Sequence, residues 1–178
     1  ENGRHGLAMS LAEKGDDPLP SKILLWLNMT RKGTYASFGE LLLFIEANPN
    51  WPLRGKILLR AEEKLVGDEP SDRIIAWFSK HRPKTTNGRA MLGVAFLAAG
   101  HRDRGVAILR KAWIGGDYGA QQDRKFRRRF RKILTQDDHR ARLDRLLWDR
   151  RFTQARRMLG RVDTDSRRLA EARMRLAA

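Results

Sequence analysis

The chain has 178 residues, 41% hydrophobic and 33% charged, enough apolar content to bury a core and to exclude a disordered chain. It lacks cysteine, which excludes disulfides and thiolate metal sites, and His5, His81, His101 and His139 form no paired ligand motif, so neither metal nor cofactor is expected. The net charge is +16, and residues 119–178 carry most of it, with 19 Lys or Arg against 8 Asp or Glu, so the expected partner is an anion: nucleic acid, anionic lipid or peptide-bearing cell-wall glycan.

Taken in order, almost every segment reads as helix. Ser21 is the expected cap of KILLWLNM, with Leu19 and Pro20 just before it. Ser37 and Glu40 make an S-x-x-E capping box, and the helix they open ends near Asn48-Pro49. Pro52 is expected to open the next helix and Gly67 to close it. Ser71 begins DRIIAWFSKH, which Pro83 terminates, and Thr86 begins an apolar pattern stopped by Gly100. The next helix stops at Gly115-Gly116, and another is predicted over 120–133. Thr135 and Asp138 form a second capping box, with Asp in the place of Glu, ahead of a helix to about 150. Helices over 153–162 and from about 165 complete the chain.

No segment alternates as a strand does, so the expected fold is all-α, a superhelical solenoid of antiparallel, tetratricopeptide-like helix pairs. Leu97, Gly100, Gly105 and Leu109 recur fifty residues later as Leu147, Arg150, Ala155 and Leu159, and the small residues at 105 and 155 suit close helix approach. Residues 1–178 read as one domain, with 1–18 a loosely attached segment. Gly15 to Pro18 and Val66 to Pro70 are the stretches most open to cutting. No apolar run approaches the ~18 residues of a membrane span. The start, ENGRHGLAMS, lacks the basic and then apolar pattern of a secretory signal.

The run Arg124 to Lys132 holds seven basic residues in nine. On a helix Phe126 and Phe130 point inward and the cations fan outward. Arg124, Lys125, Arg127, Arg128, Arg131, Arg142, Arg145, Arg150 and Arg151 are the candidate anion or glycan contacts. A solvated face on a core helix is the plainer alternative. The tryptophans at 26, 51, 77, 113 and 148 read as core packing, with Trp51 in NPNWP the candidate for sugar stacking. The glutamates, among them Glu40, Glu62, Glu63 and Glu171, read as caps or polar helix positions, and none sits in the apolar setting a glycosidase acid needs. Asp138 and His139 read as shaping a helix start. No phosphate-binding glycine loop or nucleophile elbow is present.

FGELLLFIEANPNWP at 38–52, RGKILLRAEEKL at 54–65, GRAMLGVAFLAAG at 88–100, AWIGG at 112–116 and, above all, LTQDDHRARLDRLLWDRRFTQARRML at 134–159 form an ordered set of phrases. Together they resemble the N-terminal superhelical region of the soluble lytic murein transglycosylases, over roughly residues 20–178. The resemblance implies a periplasmic protein whose helix pairs curve into a ring or horseshoe. It also implies a separate lysozyme-like domain, in which a glutamate followed by serine cleaves the MurNAc–GlcNAc bond to 1,6-anhydro products. The chain has no Glu-Ser dipeptide, so no catalytic residue is assigned to any position. The expected role is therefore a scaffold, inactive alone, which binds glycan strands, muramyl peptides or cell-wall proteins and positions the catalytic domain. The alternative is a basic helical-repeat adaptor for a protein or nucleic acid.

Overall fold

The structure, a computed structural model, describes residues 2–12, 14–65 and 69–177. Among them the elements are all helical: α1 (Asn2–Ala12), α2 (Leu19–Thr30), α3 (Phe38–Ala47), α4 (Arg54–Lys64), α5 (Ser71–Lys80), α6 (Thr86–Ala98), α7 (Arg102–Gly115), α8 (Ala120–Arg129), α9 (Gln136–Trp148), α10 (Phe152–Met158), a 3-10 turn (Leu159–Arg161) and α11 (Thr164–Leu176). The expected all-α class holds. The chain divides into two compact units, residues 1–67 and 68–178.

In the first unit α3 packs on α4, α2 on α4, and α1 on α2. Leu41, Phe44 and Ile45 on α3, and Ile57, Leu58 and Ala61 on α4, repeat at three- and four-residue spacing and are all buried. The Ser37–Glu40 capping box forms as the sequence demands: Ser37 Oγ accepts from Glu40 N, and Glu40 Oε2 accepts from Ser37 N at 2.8 Å. Two starts differ from expectation. α2 begins at Leu19, because Asp17 Oδ1 takes the Leu19 N–H at 2.9 Å and Pro20 needs no amide partner in the first turn, so Ser21 lies inside the helix. α4 begins at Arg54 rather than Pro52; Leu53, at φ 57°, turns the chain, and the Pro52 carbonyl is held by Trp26 Nε1 at 2.8 Å. Gly15 to Pro18 is exposed. Residues 66–68, which include the expected stop at Gly67 and part of the Val66 to Pro70 stretch, lie outside the described residues.

In the second unit α5 packs on α6, α6 on α7 and α7 on α9, while α9 also carries α10 and α11. Leu109, Ala112, Trp113, Leu143, Leu146, Ala155, Met158 and Ala170 form its core. Gly93 and Gly105 let α6 and α7 approach closely: a Cβ on Gly105 would lie 2.8 Å from the Gly93 carbonyl oxygen and from two carbons of Leu97.

The turns from α6 to α7 and from α9 to α10 are built alike. Gly100 and Arg150 both adopt positive φ, 82° and 54°. His101 N donates to Phe96 O at 2.8 Å, and Arg151 N to Leu146 O at 2.8 Å. Gly100 N donates to Leu97 O, and Arg150 N to Leu147 O, each at 3.2 Å. This is the paired helix-ending pattern that satisfies orphan carbonyls through one left-handed residue. At the turn the fifty-residue recurrence in the sequence is thus a recurrence of backbone conformation; further on it is not, since Leu109 lies within α7 and Leu159 opens the 3-10 turn.

α8 ends at Arg129, four residues before the predicted limit of 133. Phe130 leaves the helical region, and its carbonyl accepts from both Ile133 N at 2.9 Å and Leu134 N at 3.1 Å. This turn buries Phe130 and brings Thr135 into place to cap α9.

Candidate functional site

α8 spreads its charge in pairs four residues apart, the spacing that puts side chains on one helix face, and Arg131 follows in the turn after it. Arg124 and Arg128 are exposed. Lys125 and Arg129 border a groove of about 480 Å³. Arg127 and Arg131 border a second cavity of about 410 Å³. The inward face matches expectation. Phe126 is buried and stacks on Trp113, with ring centroids 5.6 Å apart and an angle of 19°, and Phe130 lies 4.6 Å from Phe126.

The groove has an apolar floor of Met91, Tyr118, Phe126 and Phe130 and a polar rim of Thr85, Asn87, Gln122, Lys125 and Arg129. Tyr118 is fixed from below, its hydroxyl donating to Ala112 O at 3.0 Å, and burial pushes its phenol well above the usual range. Asp117, on the same rim, is engaged by Arg145 at 2.8 Å and Arg151 at 3.8 Å. Its carboxyl is held below the usual range by the Arg145 hydrogen bond. The free charge at the lip is therefore positive.

Arg142 departs from the expected surface role. It is fully buried, so it presents nothing to a ligand. Nη1 donates to Trp113 O and, at 2.7 Å, to Gly116 O, and Nη2 lies 3.7 Å from Asp123 Oδ1. Its Cζ sits 4.4 Å from the Trp113 ring centroid and 4.8 Å from that of Tyr118. Burial pulls its pKa down to about 10, with Asp123 opposing, so it remains charged at neutral pH. Arg145, three residues on, donates to Ile114 O and Gly116 O and pairs with Asp117 and Asp149. These two arginines satisfy the carbonyls that α7 leaves open at its C-terminus. Arg110 does the same for Ile133 O, and Arg157 for Tyr118 O. Part of the arginine excess is thus internal stapling. Arg150 and Arg151 are exposed, in the turn between α9 and α10.

The tryptophans divide. Trp77 and Trp113 are core residues and Trp26 and Trp51 are half-buried, but Trp148 is 74% exposed and meets Arg173 at 5.3 Å, which corrects its reading as core. Trp51 borders a cavity with Trp26 and Ile23, and Lys22 stands 4.5 Å from its ring centroid. Among the glutamates, Glu40 caps α3, Glu63 pairs with Arg60 and Glu171 with Arg167. Glu62 is buried rather than set at a polar position, and it is not without a partner.

Asp138 completes the expected box with Thr135: its carboxylate takes Thr135 N at 2.7 Å and pairs with Arg110 at 3.3 Å. His139 does more than the sequence revealed. Nδ1 accepts from Trp113 Nε1 at 3.1 Å, tying the first turn of α9 to α7. Arg161 was also missed, because its position beside α8 and α9 comes from the 3-10 turn and not from any local motif. Among the described residues no group of three or more His, Cys, Asp or Glu is placed to hold a metal ion. No described helix is long and apolar enough to cross a membrane. Compared with family models, curated proteins and solved structures, the chain shows no match.

Proposed function

We propose that the chain is a helical scaffold region of a lytic murein transglycosylase, one that binds peptidoglycan in the periplasm and holds it for a catalytic domain elsewhere. The observation that carries this reading is the groove beside α8. An apolar aromatic floor suits the C–H face of a sugar ring, amides and hydroxyls suit its hydroxyl groups, and Lys125 and Arg129 suit the carboxylates of muramyl peptides. The resemblance of the ordered phrases between residues 38 and 159 supports the family reading, and the two matching turns support an arrangement of repeated helix pairs in a solenoid.

The test is sedimentation with purified sacculi. The chain is expected to co-sediment, to lose much of that binding when Lys125→Gln and Arg129→Gln are combined, and to release no anhydro-muropeptides. Turnover by the chain alone would overturn the assignment of catalysis elsewhere. The exposed pair Arg124 and Arg128 favours a second reading, a basic helical-repeat adaptor for nucleic acid. Steep salt dependence on duplex DNA, with no preference for muropeptide, would select it.

A further inference from the structure

The second cavity beside α8 is distinct from the groove and shares no lining residue with it. Its wall is Arg127, Arg131, Gln136, His139 and Arg161, closed by Leu134, Gly160 and Val162. Three arginines line the space and no Asp or Glu does, and the charges of Arg127 and Arg161 act on one another. The nearby acids are engaged: Asp138 with Thr135 and Arg110, Asp123 with Arg142. Arg127 Nε is buried and has no acceptor among the described residues. Burial first, and then the charges of Arg127 and Arg157, hold the Arg161 pKa below its ordinary value, with Asp123 opposing. Crowded like charges around a buried donor are stabilised by an anion.

The chemistry narrows which anion. His139 accepts at Nδ1 from Trp113, so the neutral ring carries its proton on Nε2 and is a donor there. A carboxylate has one charge and two oxygens, which a single arginine fork satisfies. Three forks, an imidazole N–H and the Gln136 amide match a group with more acceptor oxygens and a second charge. We propose that this cavity is a binding site for a phosphate dianion, free or as a terminal phosphomonoester. The site does not rest on the glycan reading, and either can fail without the other.

The test is calorimetric titration of the full chain with inorganic phosphate near neutral pH and at fixed ionic strength. Glycerol 1-phosphate is the monoester arm and acetate the comparator. Saturable binding of one or both phosphates at a single site is expected, and their ratio separates the two sources. Arg127→Gln, Arg161→Gln and the exposed Arg131→Gln are each expected to weaken it by about tenfold. Arg161→Lys should recover part of the loss. Arg168→Gln with Arg175→Gln, which removes exposed charge from α11, should leave binding within about twofold. Helix content by circular dichroism confirms that each variant is folded. The site is overturned if neither phosphate saturates, if acetate binds as well, or if the α11 variant loses as much as the cavity variants. Sacculus sedimentation of the same variants reports separately on the groove.

Discussion

Trp113 Nε1 donates to His139 Nδ1 at 3.1 Å, so the indole at the centre of the second unit is satisfied only while that imidazole nitrogen is unprotonated. Burial holds the His139 pKa below its ordinary value of 6.5. The charges of Arg161 and Arg127 add to this, while Asp138 and Asp123 oppose it. The unfolded chain therefore binds this proton more readily than the folded one, and stability is full above 6.5 and falls as pH drops below it toward the depressed folded value. Denaturation midpoints measured across this window should decline for the natural chain. His139→Gln, which still offers an acceptor but does not titrate, should flatten that part of the profile. An unchanged slope in the variant would remove His139 as its source.

Arg142 is a fully buried charge held by Trp113 O, Gly116 O and Asp123. Arg142→Ala strands the carbonyl of Trp113, leaves Gly116 O to Arg145 alone and takes the cation from Asp123. A loss of about 3–5 kcal/mol is expected by urea denaturation. Arg142→Lys keeps the charge but not the fork, and should fall between the two. Arg142→Met combined with Asp123→Leu should recover the part of the loss that comes from the unpaired carboxylate, but not the part that comes from the Trp113 carbonyl.

The two matching turns make opposite demands on their left-handed residue. Arg150→Gly relieves an L-residue at φ 54° and should raise stability by up to about 1 kcal/mol, whereas Gly100→Ala, at φ 82°, should lower it by about 1–2 kcal/mol. Thermal unfolding of the two variants side by side tests both signs. If Arg150→Gly destabilises, the turn is held by the arginine side chain rather than by its backbone.

Gly105→Ala tests the close approach of α6 and α7. The new methyl would lie 2.8 Å from the Gly93 carbonyl oxygen, a backbone atom that cannot swing aside. A cost of about 1–3 kcal/mol is expected despite the better helix propensity of alanine. Gly55→Ala, on α4 with open space around it, provides the contrast and should be neutral or mildly stabilising.

Helix starts that depend on one side chain and the next turn were legible. Ser37 with Glu40 and Thr135 with Asp138 form the boxes that their spacing requires. The stop at Gly100 and the inward pair Phe126 and Phe130 were legible for the same reason. Partners distant in the chain were not. Arg142 lies on one helix face with Asp138 and Leu146, both buried, and an arginine on that stripe was the available signal. Its role as a staple depends on carbonyls 26 and 29 residues away, which no periodicity reveals. The groove was legible only through Lys125, because Tyr118 and Asn87 reach it by tertiary packing. The cavity at Arg161 needed the 3-10 turn after α10, where a continuous helix to 162 was expected.

The carbonyl staples give a reason for a bias in which cation the chain uses. Residues 119–178 hold 17 arginines and 2 lysines, whereas residues 1–118 hold 10 and 8. If attraction to an anion were the sole requirement, an ammonium would serve as well as a guanidinium. Holding Trp113 O and Gly116 O together, or Ile114 O and Gly116 O, requires a flat donor with several N–H groups at fixed angles and weak hydration. The arginine content of this region is thus in part a vocabulary for joining helix ends. Wholesale Arg-to-Lys exchange should leave the net charge at neutral pH unchanged while loosening the second unit.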